Sequence, residues 1–265
     1  MHERERHRMI LSAVQGRSVA TVQEFAELTG ASEATIRRDI STLSGLRKLR
    51  KVRGGAEALS APAPGAVAGE SFAGAQGRNA AEKRAIAREA AKLCEDGDAT
   101  IINGGTTTFQ MVHHLTGLRL QVLTNSFPIA DHLLKHSNCA VLLPAGAVYR
   151  EQGLILSPFE ADGIAHFRAR RMFMGAQGIS AVGIAEADPL VIQSEQRLMK
   201  QADELVVLVD STKFASRSSL VIAPLERAQI LITDEGISDA AAQMIEAAGP
   251  RLVVARLDRG AGDDV

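Results

Sequence analysis

The 265-residue sequence has little that would indicate a secreted, metal-binding or membrane protein. Its only cysteines are Cys94 and Cys139, and they form neither a CxxC pair nor a His-Cys spacing. We therefore expect two buried thiols in a reducing compartment, with no disulfide and no metal site. No apolar run approaches the length that spans a bilayer, and the charged residues 1–6 lead into no hydrophobic signal core. These absences predict a cytoplasmic protein.

Nucleotide-binding signatures and internal repeats are also missing. No Gly-Lys-Ser/Thr follows any glycine turn, so the chain has no Walker loop, and the glycine turn at 104–105 does not match the dinucleotide fingerprint. No repeat of convincing period is present. The sequence thus gives no reason to expect a bound cofactor.

Charge is distributed unevenly along the chain. The whole sequence carries a net charge of −1, whereas residues 1–56 contain eleven Lys or Arg against six Asp or Glu. A net charge of +5 at the amino end points to nucleic acid. A basic run alone is more often a solvated surface, so the decision depends on the pattern around it.

That pattern predicts a winged helix-turn-helix domain over residues 1–57. An apolar stripe through Ile10 and Val14 predicts a first helix, and Thr21 with Glu24 has the spacing of a capping box that opens a second. Gly30 occupies the tight turn before a third helix. The basic stretch 47–53 and the following glycines predict a wing.

The third helix is the predicted recognition helix. Ser32 can cap it, and Ile36, Ile40 and Leu43 recur at helical spacing and turn inward. The remaining, exposed arc is expected to carry Thr35, Arg37, Arg38 and Asp39. We predict that Thr35, Arg37 and Arg38 enter the major groove, while Ser32, Lys51 and Arg53 hold phosphates or reach the flanking groove. Either arginine could contact a base.

A second domain is expected over residues 79–265, after a linker at 58–78 that is rich in Ala, Gly and Pro. From residue 99 onward, short apolar runs alternate with helical stretches, which is the rhythm of βαβ units. Runs such as 205–209 suit strands that are buried on both faces. The predicted fold class is therefore α/β, with a largely parallel sheet covered by helices.

Polar residues follow several of these predicted strands. The loop at 103–108 combines glycines with three threonines before a helix, which suits an oxyanion, although such a turn by itself is more often only a turn. Further polar groups follow other strands at 124–126, 175–178 and 210–213. Ligands of parallel sheets gather at this edge, and the groups present suit a small polyhydroxylated anion better than a nucleotide base.

Several of these motifs occur together in one known family. Thr35 to Asp39, Gly54-Gly55-Ala56, Glu82-Lys83-Arg84, the 104–107 loop, Thr124-Asn125-Ser126 and Asp210 to Phe214 stand in the order seen in DeoR-family transcriptional regulators. The chain resembles that family over nearly its whole length. The resemblance implies a repressor of a carbohydrate or polyol operon, with a Rossmann-like sensor domain similar to ribose-5-phosphate isomerase. It also implies release by a phosphorylated sugar or sugar acid, and self-association as a dimer or tetramer.

The resemblance also implies roles for residues of the second domain. The effector phosphate is expected on Gly105, Thr106 and Thr107, with charge from Lys213 and a contribution from Arg150 in a loop. Sugar hydroxyls are expected to bond Thr124, Asn125 and Gln177. Asn103, also counted with this site, stands where the family usually has Asp, and together with Lys51 to Arg53 it resembles the branch that controls L-ascorbate utilisation.

An isomerase with a fused DNA-binding domain is the alternative from another class. Isomerisation needs a carboxylate base beside the substrate, and Asn103 removes one candidate. Glu195 and Asp210 are the others near strand ends, but Glu195 is expected in the first turn of a helix over 194–202, where negative charge is favourable. We therefore expect no enzyme activity.

Overall fold

The computed structural model of the protein describes residues 2–17, 19–46, 48–57, 71–157, 163–216 and 220–257. The chain divides into two compact units, Met1–Ala75 and Gln76–Val265. The division falls inside the segment predicted as a linker, of which residues 58–70 lie outside the described part.

The first unit combines three helices with a small sheet. Its elements are α1 (Glu3–Arg17), β1 (Val19–Thr21), α2 (Val22–Thr29), α3 (Glu33–Gly45), β2 (Arg50–Val52) and β3 (Gly55–Glu57). Strand β3 lies between β1 and β2 and is antiparallel to both. The buried side chains at its centre include Ile10, Phe25, Ile36, Ile40 and Leu43. This is the predicted winged helix-turn-helix, with β2 and β3 forming the wing.

Local sequence signals account for the helix ends in this unit. Thr21 Oγ1 accepts a bond from the Glu24 amide at 3.2 Å, and the Glu24 carboxylate accepts one from the Thr21 amide at 2.7 Å, which completes the capping box. Gly30 ends α2 in the left-handed region at φ 65°. Ser32 Oγ then accepts from the Thr35 amide at 3.3 Å and begins α3.

The second unit is built on a seven-stranded parallel sheet. Its helices are α4 (Phe72–Gln76), which crosses the division between the units, α5 (Ala80–Ala91), α6 (Thr106–Met111), α7 (Phe127–His136), α8 (Pro189–Met199) and α9 (Asp239–Ala248). The strands of the sheet are β4 (Ala99–Ile102), β5 (Gln121–Leu123), β6 (Ala140–Leu142), β9 (Ala169–Met174), β12 (Ala202–Leu208), β14 (Ile230–Asp234) and β15 (Arg251–Ala255). The short helix α4 lies within the segment that was predicted to be linker.

The strand order of this sheet is β15-β14-β12-β9-β4-β5-β6, and every neighbouring pair is parallel. From β4 the chain moves outward through β5 to β6, and from β9 it moves the other way. The order therefore reverses between β4 and β9, and in such sheets ligands bind in the crevice beyond the carboxyl ends at that point. The loops that begin at Asn103 and Gly175 flank this crevice.

Apolar side chains cover both faces of the sheet, as the buried runs predicted. Met172 and Val207 belong to one buried cluster, and Phe173 and Val206 to another, so alternate residues of β9 and β12 enter opposite layers. The predicted α/β fold class is confirmed. No helix in the described part of the chain is long and apolar enough to cross a membrane.

Smaller antiparallel elements lie near the carboxyl edge. Strands β7 (Ala147–Tyr149) and β8 (Leu154–Leu156) form a hairpin, and β10 (Gly178–Ser180), β11 (Gly183–Glu186) and β13 (Leu220–Ala223) form a three-stranded sheet. The hairpin packs closely on the loop after β4. Leu154 of β8 approaches Gly104 so closely that a side chain at position 104 would collide with it. These additions build up the sides of the edge where the predicted effector residues lie.

Candidate DNA interface and effector site

Helix α3 presents a basic surface. Ile36, Ile40 and Leu43 are buried in the core, whereas Arg37 and Arg38 are exposed, as is the capping residue Ser32. Thr35 is half-buried and its hydroxyl lies 2.9 Å from Ser32 Oγ. Arg37 also forms an ion pair with Glu33 at 2.7 Å along the helix. An exposed i,i+4 pair is weak enough to exchange for a phosphate or base contact.

Asp39 does not lie on the exposed arc, where the sequence analysis placed it. It is buried, because it follows Ile36 by three residues and so lies on the same face of the helix. Its carboxylate accepts bonds from Arg6 Nε at 2.5 Å and Arg6 Nη2 at 3.1 Å, and it lies 3.0 Å from His7 Nε2. Burial raises the pKa of Asp39, but the bonds and charges of Arg6 and His7 outweigh this effect and hold it below its ordinary value. Asp39 therefore ties the recognition helix to α1.

The wing lies beside the same helix. Lys51 Nζ donates to Ser41 Oγ, on the exposed side of α3, at 3.0 Å. Arg53 is exposed at the tip of the wing, next to Gly54, whose φ of 84° makes the tight turn. The first unit thus carries Arg37, Arg38, Lys51 and Arg53 as exposed cations on neighbouring elements. This arrangement suits a helix in a groove with a wing on the adjacent backbone.

In the second unit, the loops after β4 and β5 are bonded to each other. The backbone amide of Asn103 donates to Phe173 O on β9 at 2.9 Å, and the backbone amide of Gly104 donates to Asn125 Oδ1 at 2.8 Å. Thr124 Oγ1 accepts from the Ser126 amide at 3.1 Å. Thr124 and Asn125 are fully buried, so these polar atoms hold the loops in place. Their predicted contacts with sugar hydroxyls stay a prediction.

Helix α8 holds both loops through two adjacent residues. Asn103 Nδ2 donates to Glu195 Oε1, and Asn125 Nδ2 lies 3.5 Å from Ser194 Oγ. The predicted helix over 194–202 was wrong in its start: α8 begins at Pro189, and Asp188 caps it by accepting from the Leu190 amide. Glu195 therefore lies in the interior of the helix and is buried.

The glycine and threonines predicted to bind the effector phosphate are, except for Thr107, more accessible than Thr124 and Asn125. Gly105 and Thr106 are partly exposed at the start of α6, and Thr107 is buried behind them. Gln177 lies beyond the end of β9 and is half-buried. Its backbone amide donates to Ala185 O at 3.0 Å. The β4 loop and Gln177 thus flank the crevice where the strand order reverses. Arg150 is exposed in the turn of the β7–β8 hairpin.

Lys213 lies beyond the end of β12, the strand next to β9, within a group of charged residues. It belongs to the short 3-10 helix Ser211–Phe214 after β12 and is half-buried. Beside it, Asp210 is buried and accepts from the Thr212 amide at 3.2 Å and from Asn79 Nδ2 at 2.9 Å. Lys83 is buried too; burial lowers its pKa, Asp210 opposes this effect, and Lys213 adds to it. The positive charges of Lys83 and Lys213 therefore gather around Asp210.

Asn79 connects this charged group to the start of the second unit. It precedes α5 with a left-handed backbone at φ 49°, which asparagine adopts more readily than most residues. Its side-chain amide donates to Asp210 Oδ1 and lies 3.4 Å from Thr212 Oγ1. The entry of the chain into the sensor unit is thus bonded to the loop that carries Lys213.

Sequence reasoning missed Asn79 and Lys83 as members of this edge, as well as Glu186, which is buried at the end of β11. It also misplaced Glu195. The signal for Lys83 was its spacing, since it shares a helical face with the buried Ile86 and Ala90. Glu195 could have been placed from the Asp188-Pro189 start of α8. Within the described part of the chain, no group of His, Cys, Asp and Glu side chains is arranged to hold a metal ion.

Both units match known protein families. Residues 6–61 match the DeoR-like helix-turn-helix domain, and residues 78–235 match the DeoR C terminal sensor domain. The chain belongs to the DeoR family. This DeoR-family protein is 32% identical over 249 residues to the HTH-type transcriptional regulator UlaR of Shigella dysenteriae serotype 1 (strain Sd197), across 94% of this chain and 98% of that one. The same figures hold for UlaR of Escherichia coli (strain K12 / DH10B).

Solved structures give a more distant likeness. Ribose 5-phosphate isomerase A of Methanocaldococcus jannaschii aligns with a TM-score of 0.37 and 20% identity, over 50% of this chain and 53% of that one. The translation initiation factor eIF-2B of Pyrococcus horikoshii OT3 aligns with a TM-score of 0.38 and 13% identity, over 80% and 69%. Family membership makes this protein a DNA-binding transcriptional regulator, and the isomerase alternative is not favoured.

Proposed function

We propose that this DeoR-family regulator represses a carbohydrate or polyol catabolic operon and leaves its operator when a phosphorylated sugar or sugar acid binds. The observation that carries the proposal is one chain with two polar surfaces of different chemistry. One is the cationic surface of α3 and the wing. The other is the crevice between the loops after β4 and β9, with hydroxyl, amide and ammonium groups at its edge. We expect it to act in the cytoplasm, where operator DNA lies.

On the DNA side, Arg37 and Arg38 enter the major groove from α3, and Lys51 and Arg53 contact the backbone from the wing. The exposure of all four side chains supports this assignment. Each phosphate contact should contribute about 0.9 to the slope of log affinity against log salt. A single module gives modest affinity, so we propose that a dimer or tetramer binds paired half-sites.

On the effector side, the phosphate rests on Gly105, Thr106 and Thr107, and Lys213 contributes positive charge from the neighbouring edge. Gln177, Thr124 and Asn125 bond the sugar hydroxyls, and Arg150 contacts the remainder of the ligand. Asn103 keeps the two loops in place. The partial exposure of Gly105, Thr106, Gln177 and Lys213 at one edge of the sheet supports this arrangement. The resemblance of Asn103 and the wing to the ascorbate branch makes ascorbate phosphate the first compound to test.

The coupling step is proposed to run through Asn79. A ligand that draws Lys213 toward its phosphate changes the charges around Asp210, to which Asn79 is bonded at the entry to the sensor unit. Such a ligand shifts the regulator only by the difference in its affinity for the DNA-binding and released arrangements.

The experiment that tests the function has two steps. A thermal-shift screen of pentose, hexose, polyol and ascorbate phosphates identifies ligands that raise the melting temperature. The best of them is then added to the protein on DNA fragments that the protein selects from genomic DNA. Stabilisation followed by release from DNA supports the proposal. Selective DNA binding that no sugar phosphate alters would leave a DNA-binding protein without the proposed sensor.

A further inference from the structure

The contact between Asn103 and Glu195 is incomplete if the glutamate is ionised. Asn103 directly follows β4 and is 1% exposed, and Glu195 lies within α8 and is 2% exposed. Asn103 Nδ2 donates to Glu195 Oε1. The other two oxygens, Asn103 Oδ1 and Glu195 Oε2, are buried and have no hydrogen-bond partner among the described residues. Each of the two contacting side chains thus has one buried oxygen that accepts no hydrogen bond from the described residues.

An ionised carboxylate cannot supply that donor, because it only accepts hydrogen bonds. Turning the Asn103 amide over does not help, since an oxygen would then face the carboxylate and the amide hydrogens would lose their partner. Each unpaired buried acceptor carries an unfavourable desolvation penalty. A proton on Oε2 removes the problem, because a carboxylic acid has one donor and one acceptor and matches a primary amide on both sides.

We propose that Glu195 is a neutral carboxylic acid that donates its proton to Asn103 Oδ1, closing a two-bond acid–amide pair at the base of the crevice. The acidic groups near Glu195 favour its neutral form. Burial and the nearby charge of Glu186 raise the pKa of Glu195 well above its ordinary value, and they outweigh the bond from Asn103, which lowers it. Glu186 on β11 has its own pKa raised by burial and by Asp188, against the opposing effects of the Ala187 amide and Lys213.

The pair makes Glu195 a positioning residue. It fixes the side chain of Asn103, whose backbone amide is bonded to β9 and whose neighbour Gly104 is bonded to Asn125. Ser194, one residue before Glu195, lies against Asn125 as well, so α8 holds the loops after β4 and β5 together. If the effector site is where we propose, an anion on the β4 loop has an uncharged pair beneath it, and no ionised carboxylate opposes it there.

Glu195→Gln tests the proton directly. Glutamine keeps both bonds, since its carbonyl accepts from Asn103 Nδ2 and its amide donates to Oδ1, but it does not titrate. A raised folded-state pKa means that the wild-type protein loses stability as pH rises from the ordinary glutamate value toward the folded one. Relative to Glu195→Gln, the folding equilibrium constant of the wild type should fall about tenfold for each pH unit in that range. The exposed Glu235→Gln is the matched control and should show no such slope.

Infrared and carbon NMR spectroscopy provide the second readout. The difference spectrum of wild type minus Glu195→Gln at neutral pH should show the carbonyl band of a carboxylic acid. A positive carboxylate band in that spectrum instead would overturn the proposal, as would a wild type that gains stability over Glu195→Gln with rising pH. If the variant fails to fold, wild-type protein with carboxyl-labelled glutamate decides the matter. A protonated glutamate signal at neutral pH is expected, and its absence contradicts the pair whether or not the protein binds any sugar phosphate.

Discussion

Asp39→Asn is the change that most sharply tests how the recognition helix is held. The Asp39 side chain is 7% exposed and bonded to Arg6 and His7 of α1, so the amide leaves the charged guanidinium of Arg6 facing a neutral group. A hydrogen bond between charged groups contributes about 1.5–3 kcal/mol, and we expect a loss of about 2 kcal/mol for this substitution. Amide exchange in α1 and α3 should accelerate about thirtyfold. Operator affinity should fall too, because α3 carries Arg37 and Arg38.

The pH dependence of this loss has a defined sign. The folded-state pKa of Asp39 is lowered, so its contribution is present above the ordinary aspartate pKa of about 3.9 and is lost as pH falls through the folded value. The deficit of Asp39→Asn should therefore shrink in acid. Asp131→Asn is the control, since Asp131 pairs with Lys135 on the surface of α7 and such pairs contribute about 0.3–0.5 kcal/mol. Exchange in α1 and α3 that is no faster in Asp39→Asn than in Asp131→Asn would refute the reasoning.

Three further predictions concern the two proposed surfaces. Arg38→Ala should weaken operator binding and lower the salt slope by about 1 if the side chain contacts a phosphate, whereas Arg119→Ala, on the sensor unit, should change neither in a fluorescence-anisotropy titration. Thr106→Val combined with Thr107→Val should yield a protein that binds DNA but shows no thermal shift with the sugar phosphate that stabilises the wild type. Asn79→Ala should leave that thermal shift unchanged but reduce the release from DNA measured by anisotropy; full release would argue against the proposed coupling through Asp210.

The fold was predictable where local chemistry decides it. Thr21 with Glu24, Gly30 and Ser32 are short-range signals, and each has in the structure the role that its spacing indicated. The strands were predictable because buried parallel strands need continuous apolar runs, such as residues 205–209, most of which lie in β12. Their order was not, since sequence spacing does not say on which side of β4 the chain places β9.

The candidate site was predictable only where its residues follow strands. The 103–108 loop can be recognised by its glycines and threonines after a strand. In contrast, Lys83, Glu186 and Glu195 look in sequence like ordinary charged residues on helices and a strand. Their burial depends on tertiary packing, and so does the pairing of Asn103 with Glu195. The burial of Asp39 was readable from its spacing after Ile36, but its partners were not, because Arg6 and His7 lie in another helix.

The most direct test of the central claim is the affinity of the full-length protein for its selected DNA fragment, measured with and without a saturating sugar phosphate from the screen. Coupling between two sites is typically 1–3 kcal/mol, so we expect the dissociation constant to rise between about fivefold and 150-fold. The Thr106→Val, Thr107→Val protein should show no rise at the same ligand concentration. An unchanged dissociation constant for a ligand that demonstrably binds the wild type would contradict the account.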